Sequence, residues 1–193
     1  MILFIHGFRS CGLGQKSQAL IDYFGNDEVF APDLPNHPKD AADALTDIIN
    51  AHPIDLLIGS SLGGHLATYL NQSKIIPSVL INPAVAPHSL LNDYLGEHED
   101  CHGNLFEVTQ DYLEVLQQQY RHDFSSDERY LVLLQTDDET LDYRKAAAYY
   151  ADFDVIVEQG GNHRFENFEH HLPHIAAWRK QHGQESKRTS WSE

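Results

Sequence analysis

An α/β fold, with one small, mostly parallel six-stranded sheet flanked by helices on both faces, is predicted by three observations. Short apolar runs recur at Ile2–Ile5, Val29–Ala31, Asp55–Ile58, Val79–Ile81, Tyr130–Leu134 and Asp154–Val157. Helical patterns fill most of the gaps, and strands that alternate with helices imply parallel pairing with both faces of the sheet covered. At 193 residues and 41% hydrophobic content the chain can build one substantial core, burying about 70% of its unfolded surface. One domain is expected over residues 1–182. Right-handed crossovers would then gather the carboxyl ends of the strands on one edge, where ligands bind in open α/β sheets.

The elements follow in order. The first run, Ile2–Ile5, ends in His6-Gly7-Phe8. No basic segment precedes it and no apolar stretch is long enough for a signal or a membrane span, so a cytoplasmic protein is expected. The third run, Ile54-Asp55-Leu56-Leu57-Ile58, passes through Gly59-Ser60-Ser61-Leu62-Gly63 into a helical stretch, Gly64-His65-Leu66-Ala67-Thr68-Tyr69-Leu70. This is the layout of a nucleophile elbow, with Ser61 on the sharp turn and the free N–H groups of a helix behind it. The pentapeptide alone carries little weight: with 12 glycines in the chain, chance supplies it in about one chain in twenty. Its position between a strand and a helix is what singles it out.

After the fourth run the alternation breaks. Residues 83–129 hold no convincing strand, and a helical pattern runs from Leu105 to Tyr120 with Leu105, Val108, Tyr112, Val115 and Leu116 on one face. Such a segment can serve as a cap over the carboxyl edge or as an ordinary packed helix; the two roles are compatible. The fifth run leads into Asp137-Asp138-Glu139, and the sixth into Gly160-Gly161-Asn162-His163. The polar, aperiodic stretch 183–193 is expected to be a disordered tail.

Serine needs a base, and His163 is the candidate because it stands on a loop at the correct strand end. His65 lies within the helix behind the elbow and is not favoured. A carboxylate must hold the imidazole in its productive tautomer; Asp138 is preferred and Asp137 is second. Two N–H donors should face the developing oxyanion. That of Leu62 follows from the elbow, and that of Phe8 from the tight turn at Gly7. His6 is assigned to ordering this loop. The order serine, acid, histidine along the chain is that of α/β-hydrolases.

Several alternatives are excluded or set aside. With 13 Lys and Arg against 29 Asp and Glu the formal charge is −16, which repels phosphate backbones and anionic lipid surfaces, so no nucleic-acid partner is expected. Cys11 and Cys101 lack metal or redox spacing and are expected as free thiols. Neither is the nucleophile. Glu169, His170, His171 and His174 form a dense cluster, and His170 and His174 are spaced for a helix, but the zinc-hydrolase pattern is missing and these histidines are assigned structural or solvent-facing places. No cofactor and no metal are expected in the reaction.

With these motifs in place the chain resembles the YqiA-like bacterial esterases of the α/β-hydrolase superfamily. The similarity runs through Ile5-His6-Gly7-Phe8, Ala31-Pro32-Asp33-Leu34-Pro35, Leu80-Ile81-Asn82-Pro83-Ala84-Val85 and Leu134–Tyr143, and reaches about residue 181. It implies a compact sheet without the first two strands of larger hydrolases, and hydrolysis of acyl esters or thioesters. It also implies Ser61 as nucleophile and His163 as base, and supports Asp138 as the acid. Asp137 stands where the family has glycine, adding a second charge beside that acid. The reading from another class is a non-catalytic protein that uses the same pocket to bind a ligand or partner.

Overall fold

A computed structural model describes residues 1–183. In chain order these residues form β1 (Ile2–Ile5), α1 (Gln15–Phe24), β2 (Val29–Phe30), α2 (Pro38–Ala51), β3 (Leu56–Ser60), α3 (Leu62–Lys74) and β4 (Ser78–Ile81). There follow a single turn α4 (Pro87–Leu90), β5 (Gly96–Glu99), β6 (Leu105–Val108), α5 (Gln110–Gln118), β7 (Tyr130–Gln135), α6 (Tyr143–Tyr149), β8 (Asp154–Glu158) and α7 (Leu172–His182). Of the tail expected to be disordered, only Gly183, which caps α7, lies among the described residues.

The six expected strands form one sheet in the order β2-β1-β3-β4-β7-β8, and all five pairings are parallel. Successive side chains of a strand point to opposite faces. Accordingly Leu3, Ile5, Leu57, Leu80, Val132 and Leu134 pack with α2, α3 and α6, while Ile2, Phe4, Leu56, Ile58, Val79 and Leu133 pack with α1 and α7. Burial on both faces explains why the inner strands β1, β3, β4 and β7 read as apolar runs. The strand order reverses between β1 and β3, which opens a crevice at their carboxyl ends.

Two expectations fail between β4 and β7. The segment contains an antiparallel hairpin, with Gly96 opposite Val108 and Glu99 opposite Leu105. Leu105 and Val108 therefore belong to a strand rather than to the helix, which starts at Gln110 behind a Thr109 cap whose Oγ1 accepts the Tyr112 N–H at 3.2 Å. Gly-Glu-His-Glu has no apolar face for periodicity to find, and it pairs with a strand whose Leu105 is 62% exposed. The second failure depends on the first. The hairpin turn carries Cys101 to Cys11, and the two are joined in a disulfide across 90 residues instead of standing as free thiols. Sequence spacing carries no signal for a contact made by a hairpin that is itself cryptic.

Above the carboxyl edge, Leu62, Leu91, Val108, Tyr112, Leu113 and Leu116 form a third apolar cluster, with Phe8 and Phe106 against it. Within residues 83–129, Leu91, β6 and α5 thus cover that edge with a packed core of their own, whereas Phe124 packs against the core of the sheet and against Tyr130 at the start of β7. No helix among the described residues is long and apolar enough to cross a membrane.

Candidate active site

Ser61 occupies the turn between β3 and α3 with φ 56° and ψ −119°, a conformation that costs an L-residue energy and persists only where its surroundings enforce it. They do so through three hydrogen bonds. The Ser61 N–H donates to the Ile81 carbonyl at 3.0 Å, and the Ser61 carbonyl accepts the N–H groups of Gly64 at 2.9 Å and Ala84 at 3.0 Å. The flanking glycines are required by space: a Cβ on Gly59 would overlap the Gly63 backbone, and one on Gly63 the Ile5 carbonyl. The pentapeptide is therefore the sequence that lets β3 turn into α3 directly against β1.

His163 lies between the other two groups. Its Nε2 is 3.0 Å from Ser61 Oγ and its Nδ1 is 2.8 Å from Asp138 Oδ2. With Nδ1–H donating to the carboxylate, Nε2 is left to accept the serine proton, the tautomer that a serine base needs. The Asp138 side chain is only 2% exposed. Its other oxygen accepts the N–H groups of Thr140 and Leu141, both at 2.8 Å, so the carboxylate is fixed before it meets the imidazole. Asp137 is exposed, and its carboxylate accepts the Thr136 hydroxyl at 3.1 Å instead. The geometry distinguishes the two acids.

The loop after β1 comes equally close. A Cβ on Gly7 would stand 3.6 Å from Ser61 Oγ. The Phe8 N–H has no acceptor among the described residues, and the Leu62 N–H is the first donor of α3, which the helix itself cannot satisfy. His6 holds this loop. Its Nδ1–H donates to the Gly7 carbonyl at 2.9 Å and its Nε2 accepts the Leu34 N–H at 3.1 Å. Burial lowers its pKa and keeps it neutral, as that bonding requires.

Two residues with no role assigned from sequence hold the His163 loop in place. Asn82, buried with φ 39° at the end of β4, donates to the carbonyls of Asn162 at 3.1 Å and His163 at 3.3 Å, and accepts the Gln135 N–H at 3.0 Å. Gln135, at the end of β7, accepts the N–H groups of Asn162 at 3.2 Å and Glu166 at 2.9 Å. Their signal was a polar residue ending an otherwise apolar strand at the active edge. Glu139 takes the His163 N–H at 2.9 Å, and that bond holds its carboxyl below the usual range. His65 is fully buried and makes no hydrogen bond to Ser61 among the described residues; His170 and His174 are exposed.

A cavity of about 250 Å³ opens beside Ser61 and His163, walled by Phe8, Leu62, Leu90, Leu91, Tyr94 and Leu141. Phe8 meets Tyr94, His98 and Phe106 edge to face, at centroid distances of 6.1, 5.7 and 5.8 Å. The hairpin and the loop after β1 thus form one aromatic wall. The arrangement offers a hydroxyl beside an imidazole, unpaired N–H donors and an apolar pocket.

The fold is shared with α/β-hydrolases of known structure. Alpha/beta hydrolase domain-containing protein 10 from mouse superposes with a TM-score of 0.71 at 19% identity, over 93% of this chain and 89% of that one. A monoacylglycerol lipase from Paleococcus ferrophilus superposes with a TM-score of 0.68 at 16% identity, over 94% of each chain. In sequence the chain is 25% identical over 187 residues to the UPF0227 protein YcfP of Salmonella arizonae, an alignment covering 93% of this chain and 98% of YcfP. Residues 1–180 match the model of the family described as uncharacterised protein family UPF0227, and the chain belongs to that family.

Proposed function

We propose that the protein is a serine hydrolase that cleaves carboxylic esters or thioesters of acyl substrates through an acyl-enzyme on Ser61. The observation that carries this reading is His163, which bridges Ser61 Oγ at 3.0 Å and Asp138 at 2.8 Å. Ser61 Oγ attacks the acyl carbonyl while His163 Nε2 takes its proton. Asp138 stabilises the imidazolium, and the Phe8 and Leu62 N–H groups receive the oxyanion, each such donor being worth about 3–4 kcal/mol of barrier. His163 then gives its proton to the departing alcohol or thiol. Water enters, loses a proton to His163 and attacks the acyl-enzyme, and the acid leaves as Ser61 recovers its proton. No cofactor takes part in these steps. Residues 1–182 act as one domain, in which 83–129 is the cap that supplies the acyl-binding wall. The family resemblance and a structural neighbour described as a monoacylglycerol lipase support the substrate class.

The test is hydrolysis of a series of p-nitrophenyl esters and acyl-CoA thioesters, with labelling by a fluorophosphonate. We expect stoichiometric label on Ser61 and a loss of at least about 10³-fold in Ser61→Ala. Unchanged turnover in that variant overturns the mechanism. A folded wild-type protein that takes no label and turns over none of the series is the non-catalytic binding protein instead.

A further inference from the structure

Four side chains capable of ligating a metal meet where the chain after β1 and β2 approaches the turn of the β5–β6 hairpin. Cys11 follows the loop after β1, Asp33 lies after β2, and Cys101 and His102 form the turn of the β5–β6 hairpin. One donor atom from each lies within 4.8 Å of all the others. His102 Nε2 stands 2.8 Å from Asp33 Oδ2 and 3.5 Å from Cys11 Sγ. A disulfide needs two sulfurs and no more, so an imidazole and a carboxylate aimed at the same point call for another explanation.

We propose that, when Cys11 and Cys101 are reduced, Cys11, Asp33, Cys101 and His102 form a tetrahedral site for one zinc ion. Two thiolates, an imidazole and a carboxylate are the borderline-soft donors that zinc takes, without the octahedral oxygen set of magnesium or calcium. Bonds of about 2.0–2.3 Å place tetrahedral ligands roughly 3.3–3.8 Å apart. The 3.5 Å spacing of Cys11 Sγ and His102 Nε2 already matches. The sulfurs must separate from bonding distance, and the imidazole and carboxylate must part slightly.

Supporting contacts of the kind that orient metal ligands are present. The Gly12 N–H holds Asp33 Oδ1 at 2.7 Å and leaves Oδ2 facing the cluster. Asp100 fixes the hairpin turn by accepting the His102 and Asn104 N–H groups at 2.8 and 2.9 Å and the Asn36 amide at 3.3 Å. His102, Asp33 and Cys101 are exposed, so an ion can enter. The site would clip the hairpin to the loop that carries Phe8, beside an existing bond from Arg9 Nε to the Glu99 carbonyl at 2.9 Å.

The chemistry balances. A phosphine reduces the disulfide with one water, giving two thiols and a phosphine oxide; zinc then binds both sulfurs and releases two protons. The proposal stands apart from the hydrolase reading, because its readout does not pass through Ser61.

Protein reduced with a phosphine and desalted without oxygen should be titrated with cobalt(II) as the spectroscopic probe. We expect saturation at one equivalent, the intense visible bands of four-coordinate cobalt, a thiolate-to-cobalt charge-transfer band, and displacement by zinc. Disulfide-bonded protein should show none of these. Cys11→Ser with Cys101→Ser should abolish the charge-transfer band, and His102→Ala or Asp33→Asn should weaken binding about 10–100-fold. Absence of the band in reduced wild-type protein overturns the proposal, as does an unchanged affinity in both the His102 and Asp33 variants.

Discussion

Asp138 and Asp137 are neighbours in sequence with opposite surroundings, one sealed under the Thr140 and Leu141 N–H groups and the other in solvent. Asp138→Asn leaves a similar shape but removes the charge that fixes the His163 tautomer; kcat on a p-nitrophenyl ester should fall about 10⁴-fold. Asp137→Asn should change kcat less than about threefold, a difference worth under 1 kcal/mol. Equal losses in the two variants would return the acid to doubt. His65 presents a second contrast. Burial lowers its pKa from 6.5 to about 4, so below 6.5 the unfolded chain binds a proton that the folded chain refuses. Stability should therefore be full above pH 6.5 and decline as pH falls toward 4, by up to roughly 3 kcal/mol from this residue. Urea unfolding at a series of pH values should show a shallower decline in His65→Gln. An identical slope would mean that other groups carry the acid sensitivity.

Between α5 and β7 the chain is held by a buried ion pair rather than by regular structure. Arg121 reaches Glu128 through two bonds, of 2.6 and 2.9 Å, and Glu128, whose side chain is fully buried, also accepts the Tyr130 hydroxyl at 2.5 Å and the Ser125 N–H at 2.7 Å. Removing one partner strands the other charge away from water. Glu128→Gln should cost about 3–5 kcal/mol in urea unfolding, whereas Asp43→Asn, in an exposed pair with Lys39, should cost under about 0.5 kcal/mol. A cost below about 1 kcal/mol for Glu128→Gln would show that the guanidinium finds water. The same contrast explains what was legible. The inner strands β1, β3, β4 and β7 are apolar because both their faces are covered, and the edge strands β2 and β8 still carry short apolar runs, so sequence pattern locates all six. Strand β5 is polar and two-stranded pairing leaves it half in solvent; the hairpin, and with it the Cys11–Cys101 contact, is hidden. Ser61, Asp138 and His163, the last within hydrogen-bond distance of the other two, could be singled out as candidates because chemistry limits which residue types can follow three strand ends. Asn82 and Gln135 carried a signal of position alone, a polar residue closing an apolar strand, and the loop that each amide holds is known only from its partners.

For the whole molecule, the bond between Cys11 and Cys101 spans 90 residues of chain, a loop that contains three of the six strands of the main sheet, β2, β3 and β4. Chain-entropy arguments give such a closure about 4–5 kcal/mol of stabilisation through the unfolded state. Reduced protein kept metal-free with a chelator should unfold at lower urea with little change in its far-ultraviolet dichroism before the transition. An unchanged midpoint would mean that the crosslink constrains only the cap. The register of the central strands has another consequence. β4 and β7 are adjacent and parallel, with Ser78 opposite Tyr130, although all of 83–129 lies between them. The long excursion leaves and rejoins the sheet at neighbouring strands. Because closure entropy grows only slowly with loop length, lengthening or shortening the exposed turns of this segment costs little through chain closure, provided its packed cluster and the Arg121–Glu128 pair are kept. In the proposed hydrolase, the part of the acyl-receiving wall formed by Leu90, Leu91 and Tyr94 is thus built on a different stretch of chain from the strand ends that carry Ser61, Asp138 and His163, so the one can vary while the other is kept.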